Sequence, residues 1–366
     1  MPRPIRATVD LGAFRHNYQL SQRLAGPDRR ALAVVKANAY GHGLLPCAEA
    51  IRDIAHGFAL LDMAEAVQLR ESGFDQSIVL LEGCFDREDL REARRFRLTP
   101  VVHHPQQLAD LADPAWDCGP VDVLVKVNTG MNRLGFLPAE VEPVVARLRA
   151  IPSVGTIHLM THFADADGPT GIEAQLEHFL PLQAALGLPT SLANSATLLR
   201  FPEQAGDVVR PGIMLYGGSP MPDRQSAQAL GLQPVMTLVS QIIAVQTVTA
   251  GQAVGYGATF VADRPMRVGV VACGYADGYP RHAPTGTPIR VAGVLTRTLG
   301  RVSMDMLACD LSEVPNAEVG APVVLWGAGL PADDVATAAG TISYELFCAL
   351  APRVPVHLIS ASSSAA

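Results

Sequence analysis

The sequence predicts an α/β protein, an N-terminal eight-stranded (β/α)8 barrel followed by a C-terminal mostly-β domain. Three observations carry that prediction. Short apolar runs alternate with amphipathic stretches through the first two-thirds of the chain, as a parallel α/β fold requires. From about residue 232 the texture changes to Val/Ile/Thr-rich segments broken by Gly, Pro and Asp. The first strand also lacks the G-x-G-x-x-G turn of a doubly wound dinucleotide-binding sheet; after Lys36 the chain reads ANAYGHG.

Taken in order, the expected strands are ALAVVKA (31–37), GFALL (57–61), SIVLLEG (77–83), LTPVV (98–102), VDVLVKVN (121–128), GTIHLMTH (155–162), PTSLAN (189–194) and DVVRPGIML (207–215). Helical spacing covers Leu44 to Asp53, Met63 to Ser72, Arg87 to Arg95, Ala139 to Arg149 and Gly171 to Leu186. Eight such units within about 220 residues match the size and count of a barrel. Beyond residue 232, VMTLVSQIIAVQTVTAG, VGVVACGYADG, IRVAGVLTRTLGRV, MLACDL and APVVLWG read as mostly antiparallel strands, with helical spacing only from Ala332 to Leu350. The expected domains are 1–231 and 232–366, the first ten or so residues being candidates to pair with the β domain. The SASSSAA tail is expected to fray.

At 366 residues and 49% hydrophobic content, the chain can fill two moderate cores. Charged residues make up 17%, the formal net charge is -7, and no basic block occurs, so nucleic acid is excluded as a partner and a small polar or zwitterionic substrate fits better. Cysteines at 47, 84, 118, 273, 309 and 348 form no C-x-x-C pair, which argues against zinc and against a disulfide framework; they read as buried hydrophobes in a reducing compartment. No apolar run approaches the ~18 residues of a membrane span, and the amino terminus carries no signal-peptide h-region. A cytoplasmic protein without membrane contact is expected.

In a barrel the reacting groups sit where strands finish. Polar residues gather there: Lys36 after the first strand, Lys126 and Arg133 around the fifth, His162 at the end of the sixth, Asn194 and Ser195 after the seventh, and Arg210 in the eighth. Together they describe a pocket of several cations and an imidazole, suited to a phosphate and a carboxylate. Taken alone, Lys36 reads as a strand-end amine whose charge reaches water. The alternative is a desolvated amine of lowered pKa, able to form an imine with an aldehyde cofactor. Tyr40, Gly41 and Gly43 favour the second, because glycine lets backbone approach an anion and a phenol can donate to a phosphate oxygen. ANSAT (193–197) is either an ordinary helix cap or a helix start that binds an anion. RPGIMLYGG (210–218) is either a strand with a Pro-Gly irregularity or a source of two more backbone donors, Gly212 and Ile213.

The segments VVKANAYGHG, VNTGMNRLGF, HLMTHFADAD, ANSATLLRFP, RPGIMLYG, AVGYGATF, GYADGYPR and GRVSMDM, in this order between about residue 6 and about residue 356, together resemble the alanine racemase family. The resemblance implies a pyridoxal 5'-phosphate enzyme, with the cofactor on Lys36, Tyr40, Asn194, Ser195, Gly212 and Ile213 around its phosphate, and Arg210 facing its ring nitrogen with His162 behind. It also implies two catalytic bases, Lys36 and, from the neighbouring subunit, Tyr256, so that the active unit is a homodimer. An ordinary tyrosine has a pKa of about 10, so Tyr256 needs nearby positive charge or hydrogen bonds to accept a proton. Arg133 is implied to hold the substrate carboxylate with the Met304 and Asp305 backbone. Lys126 is a lysine that is carbamylated in parts of the family, and Tyr275, Arg281, Arg301 and Asp167 match residues of the access corridor.

The chain departs from the family pattern in two places. Asn128 and Asn132 stand where aspartate and glycine are frequent, and Pro352, with neither hydroxyl nor N–H, stands where some relatives carry a phosphate-binding tyrosine. A racemase of serine or another small amino acid, and a non-catalytic pyridoxal phosphate-binding protein, are the alternative readings. AVGYGATF and VSMDM argue against the second, and a decarboxylase reading lacks its active-site cysteine loop.

Overall fold

The computed structural model describes residues 3–113 and 120–359; Cys118 and the SASSSAA tail lie outside the described residues. The chain divides into two compact units, Asn17–Ala39 with Gly43–Leu215, and Met1–His16 with Tyr40–His42 and Tyr216–Ala366. Strand β1 (Arg6–Asp10) opens the chain and belongs to the second unit.

The first unit is a TIM-like barrel. Its strands are β2 (Arg30–Val34), β3 (Gly57–Leu60), β4 (Ser77–Leu80), β5 (Thr99–Val102), β6 (Val121–Lys126), β7 (Val154–Met160), β8 (Thr190–Ser191) and β9 (Val208–Val209). They form one parallel sheet in the order β8-β7-β6-β5-β4-β3-β2-β9. Asp207 N–H donates to the Thr190 carbonyl and Arg210 N–H to the Ala193 carbonyl, each at 2.9 Å, which draws β8 and β9 together and nearly closes the ring. Helices line the outside, so the strands are covered on both faces and read as continuous apolar runs; Ala33, Ala59, Leu60, Val101, Val123, Val125 and Leu159 are fully or almost fully buried. Each such valine or leucine contributes about 1.5–3 kcal/mol relative to exposure.

All eight expected strands are present, several of them shorter than expected. β9 ends at Val209 rather than running to residue 215, because Pro211 removes a ladder donor and Ile213–Tyr216 turns as a 3-10 helix. Two helices escaped the periodicity reading, Leu11–Ala25 and Pro105–Leu111. Among the described residues no helix is long and apolar enough to cross a membrane.

The second unit is built on β1, β10 (Met236–Val248), β11 (Ala253–Val254), β12 (Phe260–Val261), β13 (Met266–Val271), β14 (Pro288–Val291), β15 (Val294–Leu299), β16 (Leu307–Asp310), β17 (Pro322–Trp326) and β18 (Val356–Ile359). The large sheet runs β13-β16-β15-β14-β17-β10-β1-β18, and β10 turns back on β13 as well. β10 does this with 13 residues and an irregular register between Ile242 and Ala244, pairing β1 and β17 with its first half and β13 with its second. Every pair is antiparallel except β1 with β18. The helical stretch expected at 332–350 is two helices, Ala332–Ala339 and Ser343–Cys348, separated by Gly340 in the left-handed region. Cys47, Cys84, Cys273 and Cys309 are buried, whereas Cys348 is exposed, a correction to the expectation of uniformly buried thiols.

Candidate functional site

In the barrel unit the polar residues at the strand ends converge. β2 ends at Val34, and Lys36 follows at the start of a left-handed turn in which Ala37, Asn38, Ala39 and Tyr40 have φ of 54°, 53°, 52° and 49°. Four consecutive non-glycine residues in this region store strain. The turn is held by its own bonds: Ala39 N–H donates to the Val35 carbonyl, Gly43 N–H to the Asn38 carbonyl, Leu44 N–H to Asn38 Oδ1, and Asn38 N–H to Glu65 Oε1.

Arg210, just past β9, is buried with its guanidinium donating to Ser191 Oγ at 2.5 Å, to the Thr161 carbonyl at 2.9 Å and to the Leu192 carbonyl at 3.3 Å. Burial lowers its pKa to about 10, so it stays charged at neutral pH. Lys126 at the end of β6 is 5% exposed; burial, then Arg210 and Arg133, bring its amine down to about 8, against the opposing pull of Glu82. His162 past β7 is lowered to about 3, first by burial and then by Arg210, Arg133, Lys126 and Lys36. It is a neutral imidazole in a cationic field.

Arg133 is exposed and makes no hydrogen bond or ion pair with the described residues. Its loop is folded by Asn128, whose Oδ1 accepts from the N–H of Gly130 and of Asn132 and whose Nδ2 donates to Asn132 Oδ1 at 3.1 Å. Asn132 itself lies at φ 56°, and Gly135 at φ 120°, where a Cβ would meet Lys126 O and Asn128 N at 2.8 Å. The departure to two asparagines thus makes a paired-amide loop. Lys126, Asn128, Thr129, Met131, Arg133 and His162 together line a small cavity.

Asn194 caps the helix Ser195–Arg200, accepting from Thr197 N–H and Oγ1 at 2.9 Å. Ser195 Oγ accepts from Gly212 N–H at 2.8 Å and from Met214 N–H at 3.4 Å, which leaves its own proton for another acceptor. Ile213 is buried, and Asp167 is exposed in the loop after β7. Sequence reasoning missed Glu82, the carboxylate acting on Lys126, and the Thr161 and Ser191 groups that seat Arg210. Glu82 had a signal, a lone acid ending the apolar SIVLL run.

The second unit holds the remaining expected residues. Tyr40 is buried there, stacked on Tyr216 with centroids 4.6 Å apart and 5.8 Å from Tyr344; burial raises its pKa, so it remains a proton donor. Pro352 is exposed in the turn after the last helix. Tyr256, 72% exposed, lies in a glycine-flanked turn. With Gly257, Tyr275, Arg281, Arg301 and Met304 it lines an open groove of about 660 Å³. Arg281 sits over the Tyr275 ring at 5.9 Å. Asp305 instead turns to Arg3 and Arg353. No group of three or more His, Cys, Asp or Glu able to hold a metal occurs among the described residues.

Known proteins share both the fold and the sequence. Residues 9–220 match the family model of the alanine racemase N-terminal domain and residues 235–358 that of the alanine racemase C-terminal domain. The chain is 55% identical to the alanine racemase of Laribacter hongkongensis over 362 residues, covering 99% of this chain and 100% of that protein. It is 56% identical to the alanine racemase of Thiobacillus denitrificans over 363 residues, 99% of this chain and 98% of that protein. Among solved structures, the biosynthetic alanine racemase of Pseudomonas aeruginosa superposes with a TM-score of 0.94 at 49% identity, over 98% of this chain and 99% of the other. Matched by both domain models and across its full length by these relatives, the chain belongs to the alanine racemase family.

Proposed function

We propose that this chain interconverts L-alanine and D-alanine on pyridoxal 5'-phosphate carried by Lys36, in a homodimer whose partner supplies the second base. The observation that carries the reading is the charge at the barrel mouth. Lys36, Arg133 and Arg210 act on Lys126, and these three with Lys126 act on His162; Glu82 is the only acid among the charges acting on Lys126. A site so short of negative charge fits a ligand that brings a phosphate and a carboxylate.

The donor set also suits the cofactor. Lys36 offers the amine, Tyr40 and Ser195 offer hydroxyl protons, Asn194 starts the adjoining helix, and Gly212 and Ile213 bring backbone to the same end of the barrel. When bound, pyridoxal phosphate withdraws electrons from the substrate α-carbon and so acidifies its proton. Arg210 presents only N–H donors, so it leaves a ring nitrogen unprotonated and limits electron withdrawal. That restraint suits a reaction that removes and returns one proton. His162, neutral and behind Arg210, adds no competing charge.

One base returns a proton to the face it left; inversion needs a base on each face. Lys36 serves one, and Tyr256 of the partner subunit the other. Arg133 holds the substrate carboxylate from the barrel side, supported by Lys126, as an amine or as the carbamate, while Met304 and Asp305 of the partner subunit close on it. Tyr275, Arg281, Arg301 and Asp167 line the approach. The exposure of Tyr256, Met304 at 53% and Met306 at 44% supports a partner-covered face, since large apolar groups gathered on one surface mark interaction sites. In this reading residues 1–231 bind the cofactor and 232–366 complete the partner's site. The product supplies D-alanine for peptidoglycan, a direction favoured by the biosynthetic Pseudomonas aeruginosa relative.

The test is an absorption spectrum of the purified protein before and after borohydride, with peptide mapping, and racemisation assays across small amino acids. A chromophore fixed on the Lys36 peptide and fastest turnover of alanine are expected. A label on another lysine, or faster turnover of serine, overturns the assignment.

A further inference from the structure

Asp277 is fully buried between β13 and β14, yet its carboxylate is met by two arginines from opposite ends of the described chain. Arg353 Nε donates to Oδ1 at 2.7 Å; Arg3 donates to Oδ1 at 3.2 Å and to Oδ2 at 3.1 Å; Gly274 N–H donates to Oδ2 at 2.9 Å. A carboxylate taken this far from water needs partners of this quality. Both arginines also reach Asp305, Arg353 at 2.7 Å and Arg3 at 3.4 Å to its carboxylate, and Arg3 at 2.7 Å to its carbonyl oxygen.

The loop of Asp277 and the loop of Asp305 are further laced by backbone. Tyr275 N–H donates to the Ser303 carbonyl at 3.0 Å and Ala276 N–H to the Met304 carbonyl at 2.9 Å. A Cβ on Gly274 would meet the Ser303 and Met304 carbonyl oxygens at 2.3 Å, so the two backbones touch where only glycine fits. Asp305 is thereby held at both its side chain and its carbonyl.

We propose that Asp277, gripped by Arg3 and Arg353, is a positioning residue that sets the 303–306 loop, and with it Tyr275, for the alanine carboxylate. The inference rests on the reading above that Met304 and Asp305 contact substrate. The amino-terminal tail, through Arg3, is part of the device.

The experiment measures kcat and KM in both directions, cofactor absorbance and Tm for Arg3→Ala, Arg353→Ala, Arg353→Lys and Asp277→Asn holoenzymes. Arg297→Ala, which breaks the Arg297–Asp310 pair in the same unit, serves as the stability control. The arginines are about 40% exposed and each single Arg→Ala leaves the other arginine on Asp277, so these variants are expected to fold even where Asp277→Asn does not, with Tm as the check. Each Ala variant is expected to raise KM for both enantiomers about fivefold, with kcat within about twofold and cofactor content unchanged; Arg353→Lys recovers part of the KM. Arg297→Ala lowers Tm without moving KM. Unchanged KM in both Arg→Ala variants, or lost kcat at unchanged KM, overturns the proposal while a wild type that racemises alanine leaves the underlying reading standing. A wild type that does not racemise alanine overturns both.

Discussion

Lys36 and Tyr256 are the two side chains on which the proposed reaction depends, and they should fail differently. Lys36→Ala is expected to lose both the yellow cofactor band and racemisation. Tyr256→Phe should keep the band and lose about 10²- to 10⁴-fold in turnover, the usual worth of a positioned base; a spectrum with a rate assay on each variant separates the two. His162 carries a pH signature of its own. Its imidazole is held near 3, against 6.5 when unperturbed, so between these values the unfolded chain binds a proton that the native one refuses. Stability therefore rises with pH through this window and is lost as the solution is acidified from about 6.5 towards 3. Urea unfolding at stepped pH should show a flatter acid limb for His162→Gln; an unchanged slope contradicts the assignment.

The arginine loop between β6 and the following helix, Pro138–Arg149, belongs to the scale of elements. Phe136 N–H bonds the Lys126 carbonyl at 2.9 Å and Asn128 N–H bonds the Phe136 carbonyl at 2.8 Å, so the loop returns on its own strand. Gly135→Ala would place its Cβ on those backbone atoms. A loss of about 1–3 kcal/mol is expected, with KM for alanine raised because Arg133 is displaced; thermal melts and steady-state kinetics check both. At this scale the strands of the barrel were legible because burial on both faces leaves no polar alternation. The helix Leu11–Ala25 was not, because its buried face carries Asn17 and Ser21 beside Phe14 and Tyr18. Those polar groups are satisfied by the Leu215 and Tyr18 carbonyls, the first far away in sequence, so no local period reports them as core. Pro105–Leu111 escaped for a different reason: seven residues begun by His104 and Gln107 are too short to set a period.

For the whole molecule, the proposed assembly makes a quantitative statement. If each site takes Lys36 from one subunit and Tyr256 from the other, a hybrid of Lys36→Ala and Tyr256→Phe chains has one dead site and one intact site. Refolding the two inactive variants together at equal amounts should restore about a quarter of wild-type activity, since about half of the dimers are hybrids. No recovery on mixing would place both bases on one chain. Dilution below the dimer dissociation range should likewise lower specific activity.

The sequence alone determined which polar groups stand at the strand ends, because such ends are marked by polar residues following apolar runs, and Lys36, Lys126, His162 and Arg210 each carry that mark. It also determined the division into a barrel and a β-rich part, since burial on two faces and antiparallel pairing leave different residue textures. Only the tertiary structure decided how those groups behave. The lowered pKa values of Lys126 and His162 come from burial and from cations on other strands, and the hold of Asp277 on Asp305 needs arginines at positions 3 and 353. Electric fields and desolvation depend on distances through space, which residue spacing along a chain does not encode.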